Sequence, residues 1–309
     1  MEKYNLAIIG AGPAGMSAAL NAQNDNFRFI LAESQEEGWF PRVSVGSHYT
    51  VDNYLGFSAV SGSELINKFK QHLTNNGVSA DHSCVRDVKQ EEDIFSIDLG
   101  DRKAAAESII LCTGTKQKKL EVPGVDRFLG RSVFYYCASE GNQFVGKKVF
   151  VIGGRNTGAV TAVYLKNLGC DVEIIEKDPR LNCKDKYAKK ISELTIPVRT
   201  SSQVVYLDGE EKLREASIQN PKGLERVAEE GVFVCIGLLP NNDLAKRLDV
   251  GLDDWGYVKV DNNMATNIPG VYAAGDITGN LKQIVVAAAQ GSIAEYNANK
   301  FLRQKWKRE

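Results

Sequence analysis

Three glycines near the start of the chain have the spacing of a dinucleotide-binding turn. Gly10, Gly12 and Gly15 follow the apolar residues 6–9 and precede the small, helix-forming residues 16–20. In such a turn the first glycine permits a sharp strand-to-helix change, the second lets the backbone approach a pyrophosphate, and the third allows the helix to pack closely on the strand. The amides at the helix start then face the phosphates. The pattern predicts a dinucleotide site.

An acidic residue stands where a ribose-binding carboxylate would be needed. The apolar run 27–32 ends in Glu33. In a Rossmann unit the acid that accepts from a ribose hydroxyl follows the glycine turn by roughly 20 residues, at the end of the second strand. We therefore predict that Glu33 binds the ribose of the same dinucleotide.

A second strand–turn–helix with the same plan begins near the middle of the chain. An apolar run leads into a turn that contains Gly153, Gly154 and Gly158, and the strand that follows ends in Glu176. Arg155 stands at the position of the second motif glycine, where its side chain either takes the space of a pyrophosphate or reaches outward to a phosphate. The Glu176 carboxylate repels a 2′-phosphate and suits a free 2′-hydroxyl. This turn predicts NADH rather than NADPH, or no pyridine nucleotide at all.

The segments after the two turns complete two copies of one plan: residues 63–75 have helical spacing, and residues 78–99 and 198–234 are each predicted to form a small sheet. The strand-like segments 107–115 and 231–240 close on Gly114 and Gly237. Residues 268–276 are predicted to form a strand that ends in Asp276, and a helix follows that begins near Gln283. The Asp276 carboxylate could accept from a ribityl hydroxyl, and the helix start could face the polar edge of a flavin. The repeat predicts an α/β protein with two similar nucleotide-binding domains.

Length and composition fit a globular protein of two domains. The 309 residues carry a net charge of −1, with 43% apolar and 25% charged residues, so neither nucleic acid nor a membrane is expected as a partner. A core strand at the very start and the lack of a long apolar run predict a cytoplasmic protein. A basic linker after residue 115 sets the predicted domains at 1–115, 116–242 and 243–309. The six cysteines form neither a metal-ligand pattern nor Cys-x-x-Cys.

Together these motifs match a known family. The chain resembles the low-molecular-weight thioredoxin reductases of the pyridine nucleotide-disulfide oxidoreductase superfamily over essentially its whole length. The matching pieces are Gly10-x-Gly12-x-x-Gly15, Asp52-Asn53-Tyr54-Leu55-Gly56-Phe57, Thr113-Gly114, Ile152-Gly153-Gly154-x-Asn156-Thr157, Cys235-Ile236-Gly237-x-x-Pro240 and Ala273-Ala274-Gly275-Asp276. The resemblance implies two Rossmann-like three-layer α/β domains, with an NAD(P)-binding-like domain inserted into an FAD domain. It also implies a homodimer and an electron-carrier partner, either ferredoxin or a thioredoxin-like protein.

The resemblance assigns binding roles to residues of both turns. It places Glu33 at the adenosine ribose, Asn53 beside the isoalloxazine, Asp276 at the ribityl chain and Gln283 near the ring. The other FAD contacts are expected at Gly10, Gly12, Pro13, Ala14, Gly15, Thr113, Gly114 and Gly275. A pyridine nucleotide would be held by Gly153, Gly154, Asn156, Thr157 and Glu176.

The chain departs from the family where the family keeps its redox cysteines. The Cys-Ala-Thr-Cys-like segment of the family corresponds to Tyr136-Cys137-Ala138-Ser139 here, so the two redox positions hold Tyr136 and Ser139. Cys137 has no partner cysteine at usable spacing, and we expect no internal relay from flavin to a disulfide. Cys137 is the one candidate catalytic residue. It is either an inert loop thiol or a lone redox thiol at the flavin.

Three functions are compatible with this sequence. The first is an FAD oxidoreductase that takes electrons from NADH or a protein donor and passes them directly to an external acceptor. The second is a pyridine-nucleotide-independent relative, either ferredoxin-linked or with a second flavin stacked among Trp39, Phe40, Tyr135 and Tyr136, unless these aromatic side chains only pack in the core. A variant of the first function is a ferredoxin–NADP⁺ reductase-like enzyme, which the resemblance also covers and which likewise lacks the cysteine pair, although this chain shows no 2′-phosphate site. The third is a non-catalytic flavin-binding sensor. The missing cysteine pair argues against thioredoxin reduction itself.

Overall fold

The computed structural model describes residues 1–34, 50–135, 137 and 140–308. These residues form two compact units, the first from 1–34, 50–116 and 239–308 and the second from 117–135, 137 and 140–238. The chain thus leaves the first unit and later returns to it. The predicted domain boundaries, after residues 115 and 242, lie beside these two crossings. Strands and helices are numbered below in chain order over the whole molecule.

The first unit is built on a six-stranded sheet. Its strands are β1 (Glu2–Ile9), β2 (Phe29–Ala32), β5 (Asp87–Glu91), β6 (Ile94–Asp98), β7 (Lys103–Leu111) and β18 (Val271–Ala273). The order is β2-β1-β7-β6-β5, with β18 also paired to β7. β1, β2, β7 and β18 are parallel, and their buried apolar ends are typical of strands covered on both faces.

The edge of β7 that faces away from β1 is shared by two strands. Its first half, Lys103 to Ala106, pairs antiparallel with β6, and its second half, Ile109 to Leu111, pairs parallel with β18. The sequence predicts short strands of a small sheet at residues 78–99, and β5 and β6 do form there. They extend the main sheet, however, because nine-residue β7 is long enough to pair with β6 beyond β18.

Four helices and a short hairpin complete the first unit. They are α1 (Pro13–Asn24), α2 (Gly62–Asn75), α6 (Asp243–Arg247), α7 (Ile284–Trp306) and the pair β3 (Thr50–Val51) and β4 (Val60–Ser61). The Ser61 hydroxyl caps α2 by accepting from the Glu64 amide at 3.2 Å. The predicted helix at 63–75 is therefore confirmed. α7 lies against α1 so closely that a Cβ at Gly291 would overlap the carbonyl oxygen of Ala14.

The second unit repeats the plan of the first on a five-stranded parallel sheet. Its strands are β9 (Val133–Phe134), β10 (Lys148–Ile152), β11 (Asp171–Ile175), β12 (Val198–Arg199) and β16 (Gly231–Val234), in the order β12-β11-β10-β16-β9. Its helices are α3 (Val125–Phe128), α4 (Asn156–Asn167) and α5 (Asp185–Glu193). The β10–α4–β11 unit matches β1–α1–β2, as the internal repeat predicted.

Smaller sheets accompany these two. β13 (Gln203–Gly209), β14 (Leu213–Asn220) and β15 (Gly223–Ala228) form an antiparallel sheet in the region where the sequence predicted one. β8 (Thr115–Gln117) and β17 (Leu238–Pro240) pair with each other where the chain crosses between the units. Within the described residues, no helix is both long and apolar enough to cross a membrane.

One carboxyl group of the second unit is buried with only partial compensation of its charge. The Glu229 side chain is 1% exposed, and neither of its oxygens has a hydrogen-bond partner among the described residues. Burial raises the pKa of Glu229 from 4.5 to about 9, and the positive charge of Lys148 opposes the rise only in part. The folded protein therefore keeps this proton at pH values where the unfolded chain loses it.

Replacing Glu229 with glutamine should stabilise the protein at neutral and mildly alkaline pH. In the parent, stability is lost as pH rises between the unfolded pKa of 4.5 and the folded pKa of about 9, because only the unfolded state releases the proton. Glu229→Gln removes that loss, which amounts to about 3 kcal/mol at pH 7. Denaturant midpoints at pH 5, 7 and 9 measure it, with exposed Glu230→Gln as the matched control. Equal midpoints for Glu229→Gln and the parent at pH 9 would contradict the assignment.

Candidate functional site

The carboxyl ends of four adjacent parallel strands bring most predicted FAD residues to one sheet edge. β2, β1, β7 and β18 end in register, with Ile9 opposite both Ala32 and Leu111, and Leu111 opposite Ala273. The residues that follow these strand ends are Glu33, the turn from Gly10 to Gly15, Thr113 and Gly114, and Gly275 and Asp276. Open α/β sheets bind ligands outside this edge.

Two glycines of the first turn are required by the protein's own packing, and the third is not. Gly10 has φ +107°, and a Cβ there would overlap the carbonyl oxygen of Cys112; a Cβ at Gly15 would overlap the carbonyl oxygen of Gly10. Gly12 has φ −73° and ψ −177°, which any residue adopts, and a Cβ there would have no atom within 4 Å. Because no contact among the described residues requires glycine at position 12, the open space in front of it fits an approaching pyrophosphate.

Glu33 is held at the edge by a loop from elsewhere in the sequence. Its side chain is buried, and its amide donates to the carbonyl oxygen of Asp81 at 2.8 Å. The neighbouring residue, His82, places Nδ1 3.6 Å from Oε2 of Glu33. Sequence reasoning gave His82 no role at this site, because the contact depends on the bridge between Ala32 and Asp81.

The turn after β7 is fixed by a residue that the sequence analysis also missed. Asn241 donates through Nδ2 to the carbonyl oxygen of Thr113 at 2.8 Å, and its amide donates to the carbonyl oxygen of Gly114 at 3.0 Å. The Thr113 hydroxyl in turn donates to the Asn241 carbonyl oxygen at 2.8 Å. These three bonds hold the turn at Gly114, which has φ +61°.

The residues predicted near the flavin ring lie around the start of α7. Gln283 caps that helix in an extended conformation. Ile284 packs against an apolar cluster that includes Val51 and Tyr54, the neighbours of the Asp52–Asn53 pair. Asn53 itself is exposed. The hairpin that carries Asn53 thus lies at the α7 N-terminus, beside Gln283.

Asp276 follows β18 at the same edge and is half-buried. Burial raises the pKa of its carboxyl, against the opposing charge of Lys282. A partly desolvated carboxylate gains from a hydroxyl donor, as a ribityl chain supplies. The open cradle at Gly12, the helix N-termini of α1 and α7 and this carboxylate together fit FAD.

The second turn has the backbone of the first but not its open space. Cβ atoms at Gly153 and Gly158 would overlap the carbonyl oxygens of Cys235 and Gly153, as at the equivalent glycines of the first turn. Arg155 occupies the position of Gly12 with nearly the same backbone, φ −83° and ψ −176°, and its side chain is exposed. A side chain therefore starts where the first turn leaves room for a pyrophosphate.

The acid of the second unit is engaged by the turn itself. Glu176 is 6% exposed, its Oε2 accepts from the Gly154 amide, and its Oε1 accepts from the Asp178 amide at 2.8 Å. Leu181 fills the space next to Gly154. The predicted ribose contact of Glu176 requires these bonds to be shared or broken.

The two remaining predicted residues of this turn start α4 and are exposed. They are Asn156 and Thr157. The Asn156 side-chain oxygen accepts from the Lys184 amide at 2.8 Å, which ties the turn to the segment before α5. The Thr157 side chain is exposed and takes no part in the hydrogen bonds of Gly154, Asn156 and Glu176.

The candidate redox thiol, Cys137, lies in the core of the second unit. It is 1% exposed, and its Sγ lies 3.8 Å from the Thr161 hydroxyl, which also lies 3.6 Å from Sγ of Cys235. Burial raises the pKa of Cys137 to about 12 and that of Cys235 to about 11. Each of the six cysteines is a free thiol. At neutral pH Cys137 is therefore a thiol rather than a nucleophilic thiolate.

Of the four aromatic residues considered for a second flavin, the structure describes Tyr135 alone; Trp39, Phe40 and Tyr136 lie outside the described residues. The Tyr135 ring packs against the buried cluster that contains Phe128 and Phe150. Its hydroxyl accepts from the Leu120 amide at 2.8 Å. Both ends of this side chain are thus used in the packing of the second unit.

Comparison with known proteins identifies the family of the chain. A family model described as pyridine nucleotide-disulphide oxidoreductase matches residues 4–291. A protein of Clostridium pasteurianum, described as a 34.2 kDa protein in a rubredoxin operon, is 30% identical over 307 residues, which cover 97% of this chain and 98% of that protein. The thioredoxin reductase of Listeria monocytogenes is 29% identical, with 97% of this chain and 94% of that protein covered.

Solved structures are similar over the same length. The crystal structure of T. acidophilum thioredoxin reductase has a TM-score of 0.88 at 32% identity and covers 97% of this chain and 99% of that one. The Lactococcus lactis thioredoxin reductase has a TM-score of 0.90 at 28% identity, with the same coverage. The two-unit α/β fold therefore agrees with its structural relatives.

Proposed function

The chain belongs to the pyridine nucleotide-disulphide oxidoreductase family and is thioredoxin reductase-like, and we propose that it is an FAD-dependent oxidoreductase that passes electrons to an external acceptor without an internal disulfide. The thioredoxin reductases of the family use a cysteine pair between flavin and substrate. Here the two corresponding positions are Tyr136 and Ser139. The acceptor must then meet the flavin edge itself.

The observation that carries this proposal is the setting of Cys137. Its thiol lies in a buried cluster with Phe134 and Phe144, and its pKa of about 12 keeps it protonated. The one cysteine that shares its hydroxyl partner, Cys235, is equally disfavoured as a thiolate. Attack on a substrate disulfide requires a thiolate. We therefore assign Cys137 a packing role in the core of the second unit and no redox role.

The residues of the first unit would bind and orient the cofactor. The turn at Gly12 would hold the pyrophosphate, Glu33 the adenosine ribose and Asp276 the ribityl chain. The N-terminus of α7 would place its amides and Gln283 at the polar edge of the ring. When bound, FAD supplies the capacity to accept two electrons and to release them to an acceptor.

For the electron donor we propose NADH over NADPH. The run after β11 reads Glu176-Lys177-Asp178-Pro179-Arg180, which begins with a carboxylate where NADPH enzymes of the family carry basic residues. A carboxylate there disfavours a 2′-phosphate. Glu176 is buried, and its two oxygens accept from the amides of Gly154 and Asp178, so the side chain is held at the end of β11 where the ribose would bind.

A protein donor is the second candidate, and the second turn is what favours it. Arg155 fills the place of Gly12, and the Glu176 carboxylate is already bonded to Gly154 and Asp178. The Clostridium pasteurianum relative belongs to a rubredoxin operon by its description, which supports a small redox protein as donor or acceptor. Ferredoxin and a thioredoxin-like protein are the other carriers to test. A homodimer and a cytoplasmic location complete the proposal.

Reductive titration tests the absence of an internal disulfide. Under anaerobic conditions dithionite should bleach the flavin completely after two electrons per FAD, without a further phase, because no disulfide is present to take a second pair. Thiols counted before and after the titration should be equal. Cys137→Ala is the matched control and should have the same electron count.

A count of four electrons per FAD, with new thiols after reduction, would overturn the proposal. The double variant Tyr136→Cys, Ser139→Cys supplies a positive control, since it restores the spacing of the family's pair. Addition of NADH, NADPH or reduced ferredoxin in separate experiments then identifies the donor. Bleaching by NADPH faster than by NADH would contradict the proposed role of Glu176.

A further inference from the structure

One polar residue interrupts a run of small residues on α7. Gln290 stands among Ala287, Ala288, Ala289 and Gly291, in the part of the helix that faces α1. Its side chain is 7% exposed. A buried amide costs free energy unless its polar atoms are bonded. The identity of this residue therefore requires an explanation beyond the packing of two helices.

The partner of Gln290 is the turn that carries Asp276. Its Oε1 accepts from the amide of Gly275 at 2.8 Å, and the Thr278 hydroxyl lies 3.4 Å from the same oxygen. That hydroxyl is also 2.9 Å from the carbonyl oxygen of Gly275, which it donates to. Because a backbone amide can only donate, the oxygen rather than the nitrogen of Gln290 faces the turn.

This turn has a backbone that only glycine adopts readily. Gly275 has φ +84° and ψ −156°, and a Cβ there would lie 3.0 Å from the Cβ of Ala14 in α1 and 3.6 Å from that of Ala287 in α7. The peptide is thus wedged between the two helices. The conformation is costly for other residues and is held by its surroundings.

Two consecutive residues of α7 therefore contact the two segments of the site predicted to hold the pyrophosphate and the ribityl chain. Gly291 packs on the backbone of Ala14, in the first turn of α1 beside the pyrophosphate cradle. Gln290 bonds to Gly275, next to the carboxylate predicted at the ribityl chain. Their adjacency fixes the spacing between the glycine turn and Asp276.

We propose that Gln290 is a positioning residue for FAD, which holds the Gly275–Asp276 turn in the conformation that presents the Asp276 carboxylate to the ribityl chain. This inference rests on the FAD site of the proposed function. A purely structural role would weaken all ligands and the fold together. A positioning role acts on the flavin half of the cofactor and leaves the ADP half unaffected.

Binding of FAD and of ADP to the apoprotein separates the two roles. Gln290→Met, of similar length and without an acceptor amide, should weaken FAD binding about tenfold or more, because the Gly275 amide loses its acceptor. ADP should bind within about twofold of the parent, since its contacts are with the first turn. Exposed Gln304→Met is the matched control and should change neither constant.

A double-mutant cycle tests whether Gln290 acts through Asp276. In the Asp276→Asn background, Gln290→Met should cost much less FAD affinity than in the parent, since the group it positions is already altered. Additive losses, or equal losses of FAD and ADP binding, would overturn the proposal. Thr278→Val removes the hydroxyl that contacts the Gly275 carbonyl oxygen and Oε1 of Gln290. It should lower the affinity for FAD less than Gln290→Met does and leave ADP affinity unchanged, and it replaces Gln290→Met in this test if that variant does not fold. If the parent apoprotein binds ADP but not FAD, the proposed function fails instead.

Discussion

Gly12→Val is expected to abolish FAD binding and to leave the apoprotein folded. The Gly12 backbone suits any residue, and a Cβ there would have no atom of the described residues within 4 Å. Valine should cost the cap of α1 about 1 kcal/mol of stability. In the same place its methyl groups would occupy the space of the pyrophosphate, so the affinity for FAD should fall by about a hundredfold or more. Flavin content after purification and FAD titration of the apoprotein measure the loss.

The matched control is the neighbouring glycine of the same motif. Gly10→Ala must place a Cβ against the carbonyl oxygen of Cys112 at φ +107°, so we expect it to destabilise the fold by about 3 kcal/mol or more. Gly12→Val should therefore lose FAD and remain folded, whereas Gly10→Ala should lose stability. Retention of FAD by a folded Gly12→Val protein would show that the pyrophosphate does not approach at this turn.

The parts of the site that follow from the sequence are those set by local pattern. Gly10, Gly12, Gly15 and Glu33 are spaced by one strand, one turn and one helix, so their relation needs no knowledge of the tertiary fold. The tail strand before Asp276 is predicted to complete the first copy of the repeated plan, and the family resemblance places it in the FAD domain.

The contacts that fix these residues could not be read in the same way. Asn241 bonds to Thr113, and the loop of His82 meets Glu33, across long stretches of sequence. Each depends on the registers of strands that only the folded sheet defines. The single available signal was Gln290, a polar residue in a run of small ones on a helix. Its partner, Gly275, is set by the packing of α7 on α1.

The sequence also could not predict which contacts the acidic side chains at the two strand ends make. Glu33 and Glu176 stand at equivalent strand ends, and sequence reasoning gave both the same role. The structure distinguishes them, since Glu176 bonds to the amides of Gly154 and Asp178, whereas Glu33 has His82 at 3.6 Å. A rotamer and a loop conformation decide this difference, and neither is encoded by spacing.

Arg155→Gly is expected to increase the rate at which NADH reduces the flavin, by about tenfold or more. The substitution recreates at the second turn the open space that Gly12 leaves at the first, and the two backbones have nearly the same φ and ψ angles. A pyrophosphate could then approach the α4 amides without meeting a side chain. The measurement is anaerobic bleaching of the flavin with NADH in excess, with exposed Arg131→Gly, which lies outside the nucleotide turn, as the matched control.

The direction of the change identifies the role of Arg155. A rise means that the Arg155 side chain weakens the binding of NADH in the parent without abolishing it, which would favour the protein donor, the second candidate, over NADH. A fall of similar size would contradict this expectation and would mean that the guanidinium binds the phosphates of NADH, since a bidentate arginine contact is lost with the side chain. No bleaching by NADH in either protein, with full bleaching by dithionite, would also contradict it. In that case the Glu176 carboxylate, which accepts from the amides of Gly154 and Asp178, would keep NADH out of the turn even without the Arg155 side chain.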